Sequence, residues 1–140
     1  MTPSVLAVAL LAPAADPAPT REQAEFFERH VRPVLADHCL SCHDGRKQKG
    51  GLRLDTAAGV RAGGDTGPAV VPGNPAAGTL LKAVRYADPD LRMPPKGKLP
   101  AAAVAALEKW VALGAPDPRG GPAAADGAPG DQLPIGELLK

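Results

Sequence analysis

The feature that most constrains this chain is the motif at residues 39–43, which reads Cys-Leu-Ser-Cys-His. Cys39 and Cys42 are the only two cysteines among 140 residues, and His43 follows directly. This spacing is the pattern of covalent haem c attachment. Thiols three residues apart fall on one helical turn, so they can reach the two vinyl groups on one porphyrin edge. The histidine can then supply an axial nitrogen to the iron. The motif predicts one covalent haem c held by Cys39, Cys42 and His43.

Two cysteines also permit other sites, namely a zinc centre, a disulfide or a redox pair. A thioredoxin-like pair belongs in a strand-helix context, which this sequence does not show. Structural zinc usually takes four protein ligands, so the motif would need His30 or His38 as a fourth. His38 adjoins Cys39, which makes a tetrahedral arrangement awkward. Haem is the favoured interpretation, and both other histidines are expected at the surface or the edge of the core.

The composition indicates one domain with a thin core. Hydrophobic residues make up 44% of the chain, but there are 17 prolines, 16 glycines and only two Phe, one Tyr and one Trp. A small domain with few large apolar side chains usually needs a cross-link or a bound cofactor to be stable, and a covalently attached haem would provide this. The formal net charge is only +1, so nothing indicates a nucleic-acid binder.

The N-terminal residues resemble the later parts of a secretory signal. An apolar run at residues 5–11 is followed by a Pro/Ala-rich stretch to Pro19, without the usual basic start. We expect residues 1–19 to be a cleaved export signal, truncated at its N-terminus, and the protein to be exported to the periplasm. The alternative is that residues 1–19 are merely an apolar tail. The run is too short for a transmembrane helix.

The remaining pattern predicts short helices joined by loops. Thr20 is the expected N-cap of a helix over residues 21–32. Pro33 should kink the helix or restart it, before a short turn that leads into Cys39. Thr79 should cap a helix over residues 80–86, and Pro100 should open a last helix that buries Trp110. Residues 118–140 read as a flexible tail or linker.

Met93 is the candidate for the sixth ligand of the haem iron. Its thioether is soft and neutral, and Met opposite His raises the reduction potential relative to two histidines. Pro94 and Pro95 follow it in an otherwise polar loop, which is a poor place for a core-filling methionine. Iron held by His43 and Met93 on both sides would suit one-electron transfer.

Basic residues flank the two segments expected to meet at the haem. They would either steer acidic redox partners or form ordinary solvated loops. They are Arg46, Lys47, Lys49, Arg53, Lys96 and Lys98.

Over about residues 25–119 the chain resembles the planctomycete-type cytochrome c domain, a class I cytochrome c-like family. The resemblance rests on a series of short motifs spread along this segment. They are Phe26-Phe27-Glu28, Val31-Arg32-Pro33-Val34-Leu35, residues 39–43, Lys49-Gly50-Gly51-Leu52-Arg53-Leu54-Asp55, Val71-Pro72-Gly73, Arg92-Met93-Pro94-Pro95 and Trp110-Val111.

The resemblance implies an all-α fold of a few short helices and long loops around one covalent haem. It implies a cytochrome domain at residues 20–117, His43 and Met93 as axial ligands, and electron transfer outside the cytoplasm. Family members usually carry the domain at the head of a longer chain, so the partner is either a redox protein or an attached domain.

The leading functional prediction is a mono-haem electron carrier that is not an enzyme. One alternative is a haem-based sensor or peroxidase-like module with an open iron site, which would require Met93 to be absent from the iron. The other is a zinc-stabilised interaction module.

Overall fold

A computed structural model describes residues 18–120. The predicted signal at residues 1–19 and the predicted tail at residues 118–140 lie almost wholly outside this range. Five α-helices form within it, and they are α1 (Arg21–Phe26), α2 (Arg32–His38), α3 (Ala57–Ala62), α4 (Thr79–Val84) and α5 (Ala101–Ala112). No β-strand forms among the described residues, where two isolated bridges pair His43 with Gln48 and Gly64 with Gly67. The all-α expectation is therefore confirmed.

The N-terminal helix continues past the point at which the sequence predicted its end. Thr20 caps α1 in a capping box with Gln23, as expected. A π-helical turn (Phe27–Val31) then joins α1 to α2, and the Arg32 N–H donates to the Phe27 carbonyl, five residues back. Pro33 consequently falls in the first turn of α2, where a helix needs no backbone donor. The predicted helix end at Arg32 is wrong, because helical structure continues to His38, whereas the expected restart at the proline agrees with the start of α2 at Arg32.

The core forms where the π-helical turn meets α5. Phe27, Leu107 and Trp110 are fully buried, and the Phe27 and Trp110 rings lie 5.9 Å apart between centroids. The Trp110 Nε1–H donates to the Pro116 carbonyl at 2.9 Å, which holds the chain leaving α5 against the core. Trp110 is therefore buried, as expected, and it packs on the π-helical turn that follows α1.

Helix α4 differs from its prediction at both ends. Gly78, not Thr79, is the N-cap residue, and the Thr79 hydroxyl donates to the Pro68 carbonyl instead. A side chain at position 78 would place Cβ 2.6 Å from the Ala69 carbonyl oxygen, so this close approach requires glycine. At the other end Tyr86 adopts a positive φ of 58°, which terminates the helix earlier than predicted.

The packed chain continues beyond α5 to a 3-10 turn at Pro118–Gly120. Gly114 leaves the helix with φ 95°, and the Ala115 N–H returns to the Trp110 carbonyl. Arg119 lies over the Phe27 ring, 4.9 Å from its centroid. The C-terminal end of the described chain therefore packs back on the N-terminal helix.

Candidate haem-binding site

The motif residues form one turn directly after α2. The Cys39 N–H continues the helix by donating to the Leu35 carbonyl at 2.9 Å. The N–H groups of Cys42 and His43 then both donate to the Cys39 carbonyl, at 3.2 and 3.1 Å. Both thiols are free and half-buried. The structure thus brings Cys39, Cys42 and His43 together on a single turn, as the sequence predicted.

Burial keeps the Cys39 thiol in its neutral, protonated form. Removal from water raises the pKa of its thiol to about 11, so the thiol stays protonated at neutral pH. A thioether bond to a porphyrin leaves the sulfur uncharged, whereas a zinc site requires thiolate. Among residues 18–120 no group of three or more His, Cys, Asp or Glu side chains could hold a metal ion. These observations fit thioether attachment of a haem better than a zinc–thiolate site.

The ring of His43 is fixed by a backbone carbonyl. Its Nδ1 lies 3.3 Å from the Leu52 carbonyl oxygen. Because a carbonyl can only accept, this contact places the ring hydrogen on Nδ1 and leaves the Nε2 lone pair for a ligand bond. The Leu54 N–H donates to the His43 carbonyl at 2.8 Å, so the backbone of the histidine is held by the same segment. A partner of this kind on the second ring nitrogen is usual for a metal-ligating histidine.

Two aspartates accept the hydrogen bonds that hold the loop after the motif. The Asp44 carboxylate accepts from the N–H groups of Arg46 and Lys47 at 2.8 and 2.7 Å, and these bonds lower its pKa. Asp55 accepts from the Gly45 N–H and from both sides of the Arg53 guanidinium. The Arg53 contact is the main reason that the pKa of Asp55 lies below its usual value. This loop therefore returns the chain to the segment that holds His43.

Met93 lies on a separate loop that is fixed to the end of α4. Its N–H donates to the Ala83 carbonyl at 3.1 Å, and the Tyr86 hydroxyl donates to the Pro94 carbonyl. The Arg92 guanidinium lies 5.7 Å from the centroid of the Tyr86 ring. The Met93 side chain is 38% exposed, so it does not fill the core. An accessible thioether on a fixed loop fits the donor expected of a second axial ligand.

The other residues singled out from the sequence lie outside this set. His30 stacks on Phe26 with ring centroids 5.2 Å apart, and His38 is exposed at the end of α2. His30 also lines a groove of about 440 Å³ between α1 and α5, which none of the four candidate haem residues lines. Five of the six predicted basic residues are exposed, while Arg53 is paired with Asp55.

Three contacts around the site were not predicted. They are the contact of the Leu52 carbonyl with His43 Nδ1, the bond from the Tyr86 hydroxyl to the Pro94 carbonyl next to Met93, and the Arg119 bond to the Leu54 carbonyl at 2.7 Å. The sequence did not indicate these side chains, because a tyrosine just past a helix and a single Asp-Pro-Arg segment show no repeating pattern. A backbone acceptor gives no signal in the sequence at all.

No helix among residues 18–120 is long and apolar enough to cross a membrane.

Comparison with known proteins finds a family model similar to the central segment. Residues 39–97 match the family model described as Planctomycete cytochrome C. The match begins at Cys39 and includes His43 and Met93. No significant match was found among curated proteins or among solved structures. A cytochrome c domain implies a covalently bound haem, and the all-α architecture agrees with it. Residues 39–97 of this chain are therefore similar to the planctomycete cytochrome c domain.

Proposed function

We propose that this chain is a mono-haem c-type cytochrome that transfers single electrons outside the cytoplasm, with His43 and Met93 as axial ligands. The observation that carries the proposal is the turn at residues 39–43. It presents two free thiols, and its histidine ring is bonded at Nδ1 to the Leu52 carbonyl. That combination supplies covalent anchors and an oriented nitrogen donor together.

Cys39 and Cys42 would hold the porphyrin through two thioether bonds. Both sulfurs are half-buried, and a thioether carries no charge that burial would penalise. The turn is itself held at three backbone points, through the Leu35, Cys39 and Cys42 carbonyls, the last accepting from Lys49 N–H. The anchors therefore stand on a fixed piece of backbone.

His43 would supply one axial nitrogen through Nε2. When bound, the haem iron supplies the one-electron couple. The Leu52 carbonyl keeps the imidazole in one orientation and one tautomer, and it raises the basicity of the ligand. An orientation fixed in this way favours electron transfer, because the ligand need not rearrange when the charge changes.

Met93 would supply the second axial donor. Support comes from its exposed thioether and from the two bonds that hold its loop to α4, at Ala83 and at Tyr86. A thioether opposite an imidazole favours the reduced state more than a second imidazole would. A site with both positions filled serves electron transfer, since neither ligand has to leave.

The proposed location and partner rest on the family resemblance and on the sequence. Domains of this family are typically found outside the cytoplasm, and residues 1–19 resemble an export signal. The partner would be a redox protein or an attached domain. Exposed Lys47, Lys49, Lys96 and Lys98 would favour an acidic surface on that partner.

The test is made on protein matured by a c-type cytochrome assembly system. We expect a reversible one-electron wave in voltammetry and no rapid binding of CO by the reduced protein, because Met93 would occupy the sixth position. Rapid CO binding by the native protein would contradict His/Met ligation. That result would favour the haem-sensor or peroxidase-like alternative.

A further inference from the structure

We propose that Asp117 and Arg119 form a positioning pair that tunes the reduction potential through the segment that holds His43. This inference rests on the proposed function, because it requires His43 to be an axial ligand. Asp117 is 4% exposed and the Arg119 side chain is 12% exposed. The guanidinium binds both carboxylate oxygens, with Nε 2.9 Å from Oδ1 and Nη2 2.7 Å from Oδ2.

A further N–H donor of Arg119 binds a group outside the ion pair with Asp117. Its Nη1 donates to the Leu54 carbonyl at 2.7 Å, 65 residues back along the chain. The guanidinium also lies over the Phe27 ring, 4.9 Å from its centroid. The planar fork of an arginine can serve a carboxylate and a carbonyl at once, whereas a lysine cannot reproduce that geometry. Asp117 and Phe27 thus fix the guanidinium, and the guanidinium fixes Leu54.

Leu54 connects this pair to the candidate ligand. Its N–H donates to the His43 carbonyl at 2.8 Å, and two residues earlier the Leu52 carbonyl lies 3.3 Å from His43 Nδ1. The segment at residues 52–54 therefore meets His43 at two points and Arg119 at a third. A displacement of Leu54 would move the acceptor of the ring hydrogen bond.

The ring hydrogen bond is well placed to respond to such a movement. At 3.3 Å it is longer than most N–H···O bonds, in a range where a small displacement weakens it further. A strong bond at Nδ1 makes imidazole a better electron donor and stabilises the oxidised iron. Weakening this bond should therefore raise the reduction potential.

The charges of the pair have to be removed together. Loss of Arg119 alone would leave the buried Asp117 carboxylate uncompensated, and that negative charge would lower the potential. The charge-neutral variant Asp117→Asn/Arg119→Gln separates the positional effect from the electrostatic one. Glu28→Gln/Arg32→Gln is the matched control, since it removes an exposed ion pair of 2.7 Å on the N-terminal helix.

The experiment compares the reduction potentials of the haem-loaded proteins. We expect Asp117→Asn/Arg119→Gln to favour reduction by up to about tenfold in the equilibrium constant, or about 59 mV, with no change in the control. Arg119→Lys keeps the positive charge and should shift the potential in the same direction. If the double variant does not fold, the potential of Arg119→Lys tests the proposal instead. Hydrogen exchange at the Leu54 amide should be faster in both variants.

Two outcomes are distinguishable. Native haem content and axial ligation are established first, and failure there overturns the proposed function together with this inference. If ligation holds while the potential stays at its native value in a folded variant, the positioning role is wrong. Faster exchange at Leu54 without a change in potential would show a purely structural pair and would overturn the inference too.

Discussion

His43 Nδ1 lies 3.3 Å from the carbonyl oxygen of Leu52, nine residues further along the chain. This contact gives the histidine of the motif a defined tautomer and leaves Nε2 for a ligand bond. It also joins the motif turn to the segment that Arg119 holds through Leu54. The geometry of the candidate ligand therefore depends on residues far from the motif itself.

Met93→Ala is expected to lower the reduction potential by more than about 59 mV, a tenfold change for a one-electron couple. The loss of a thioether donor would also open the sixth position, so the reduced variant should bind CO rapidly. Voltammetry and CO binding measure the two effects.

Leu113→Ala is the control for that variant, because Leu113 is another exposed large apolar residue, at 45%. It should leave both properties unchanged. If Met93→Ala leaves the reduction potential and the spectrum of the reduced protein unchanged, Met93 is not an axial ligand.

Tyr86→Phe is expected to loosen the Met93 loop. It deletes the hydroxyl that donates to the Pro94 carbonyl, at a cost of about 1 kcal/mol in the free energy of unfolding. Because the loop carries the proposed ligand, CO should also bind faster to the reduced variant. Thr79→Val deletes a hydroxyl at the start of α4 and should affect stability alone. Equal CO kinetics in both variants would argue against a role for Tyr86 at Met93.

Asp55→Asn is expected to change the acid dependence of stability. The Arg53 guanidinium lowers the pKa of Asp55 below its ordinary value of 3.8, so the carboxylate stabilises the fold at neutral pH. Both side chains of the pair are partly exposed, so solvent screening keeps that contribution below about 1 kcal/mol. It is fully present well above pH 3.8 and is lost as the pH falls through the folded pKa.

Urea unfolding between pH 7 and pH 3 measures this effect. Native protein should lose stability on acidification more steeply than Asp55→Asn. The exposed Asp37 of α2 supplies the control variant Asp37→Asn, which should follow the native slope. Parallel curves for native protein and Asp55→Asn would contradict the prediction.

Local sequence signals predicted the presence of the helices, although the end of the N-terminal helix and both ends of α4 differ from the prediction. The Thr20–Gln23 capping box and the burial of Trp110 on α5 both form as the sequence indicated. Each depends on residues three or four apart, whose geometry a helix fixes by itself. Residues 39–43 likewise form one turn because the motif is short.

Features that depend on distant parts of the chain could not be predicted. The helix runs through Pro33 because a π-helical turn precedes it, and that turn lies where α5 packs on Phe27. The Leu52 acceptor is a backbone atom, so no side chain at that position marks it. Arg119 is indistinguishable from a linker residue until the fold places it on Phe27 and Leu54.

Haem removal is expected to destabilise the domain markedly. Among the described residues, the largest fully buried side chains are Trp110 and Phe27. The core is therefore small for a domain of this length. Protein made without the assembly system should unfold at a lower urea concentration than the haem-loaded protein. The comparison measures the midpoint in both preparations, and equal midpoints would contradict a structural role for haem.

The most direct test of the central claim is a pyridine haemochrome assay on purified, matured chain after denaturation and extraction of free haem. The account predicts one haem c per chain that stays attached to the polypeptide, and none in Cys39→Ser/Cys42→Ser. Native protein that retains no haem after extraction, or that contains zinc in its place, would contradict it.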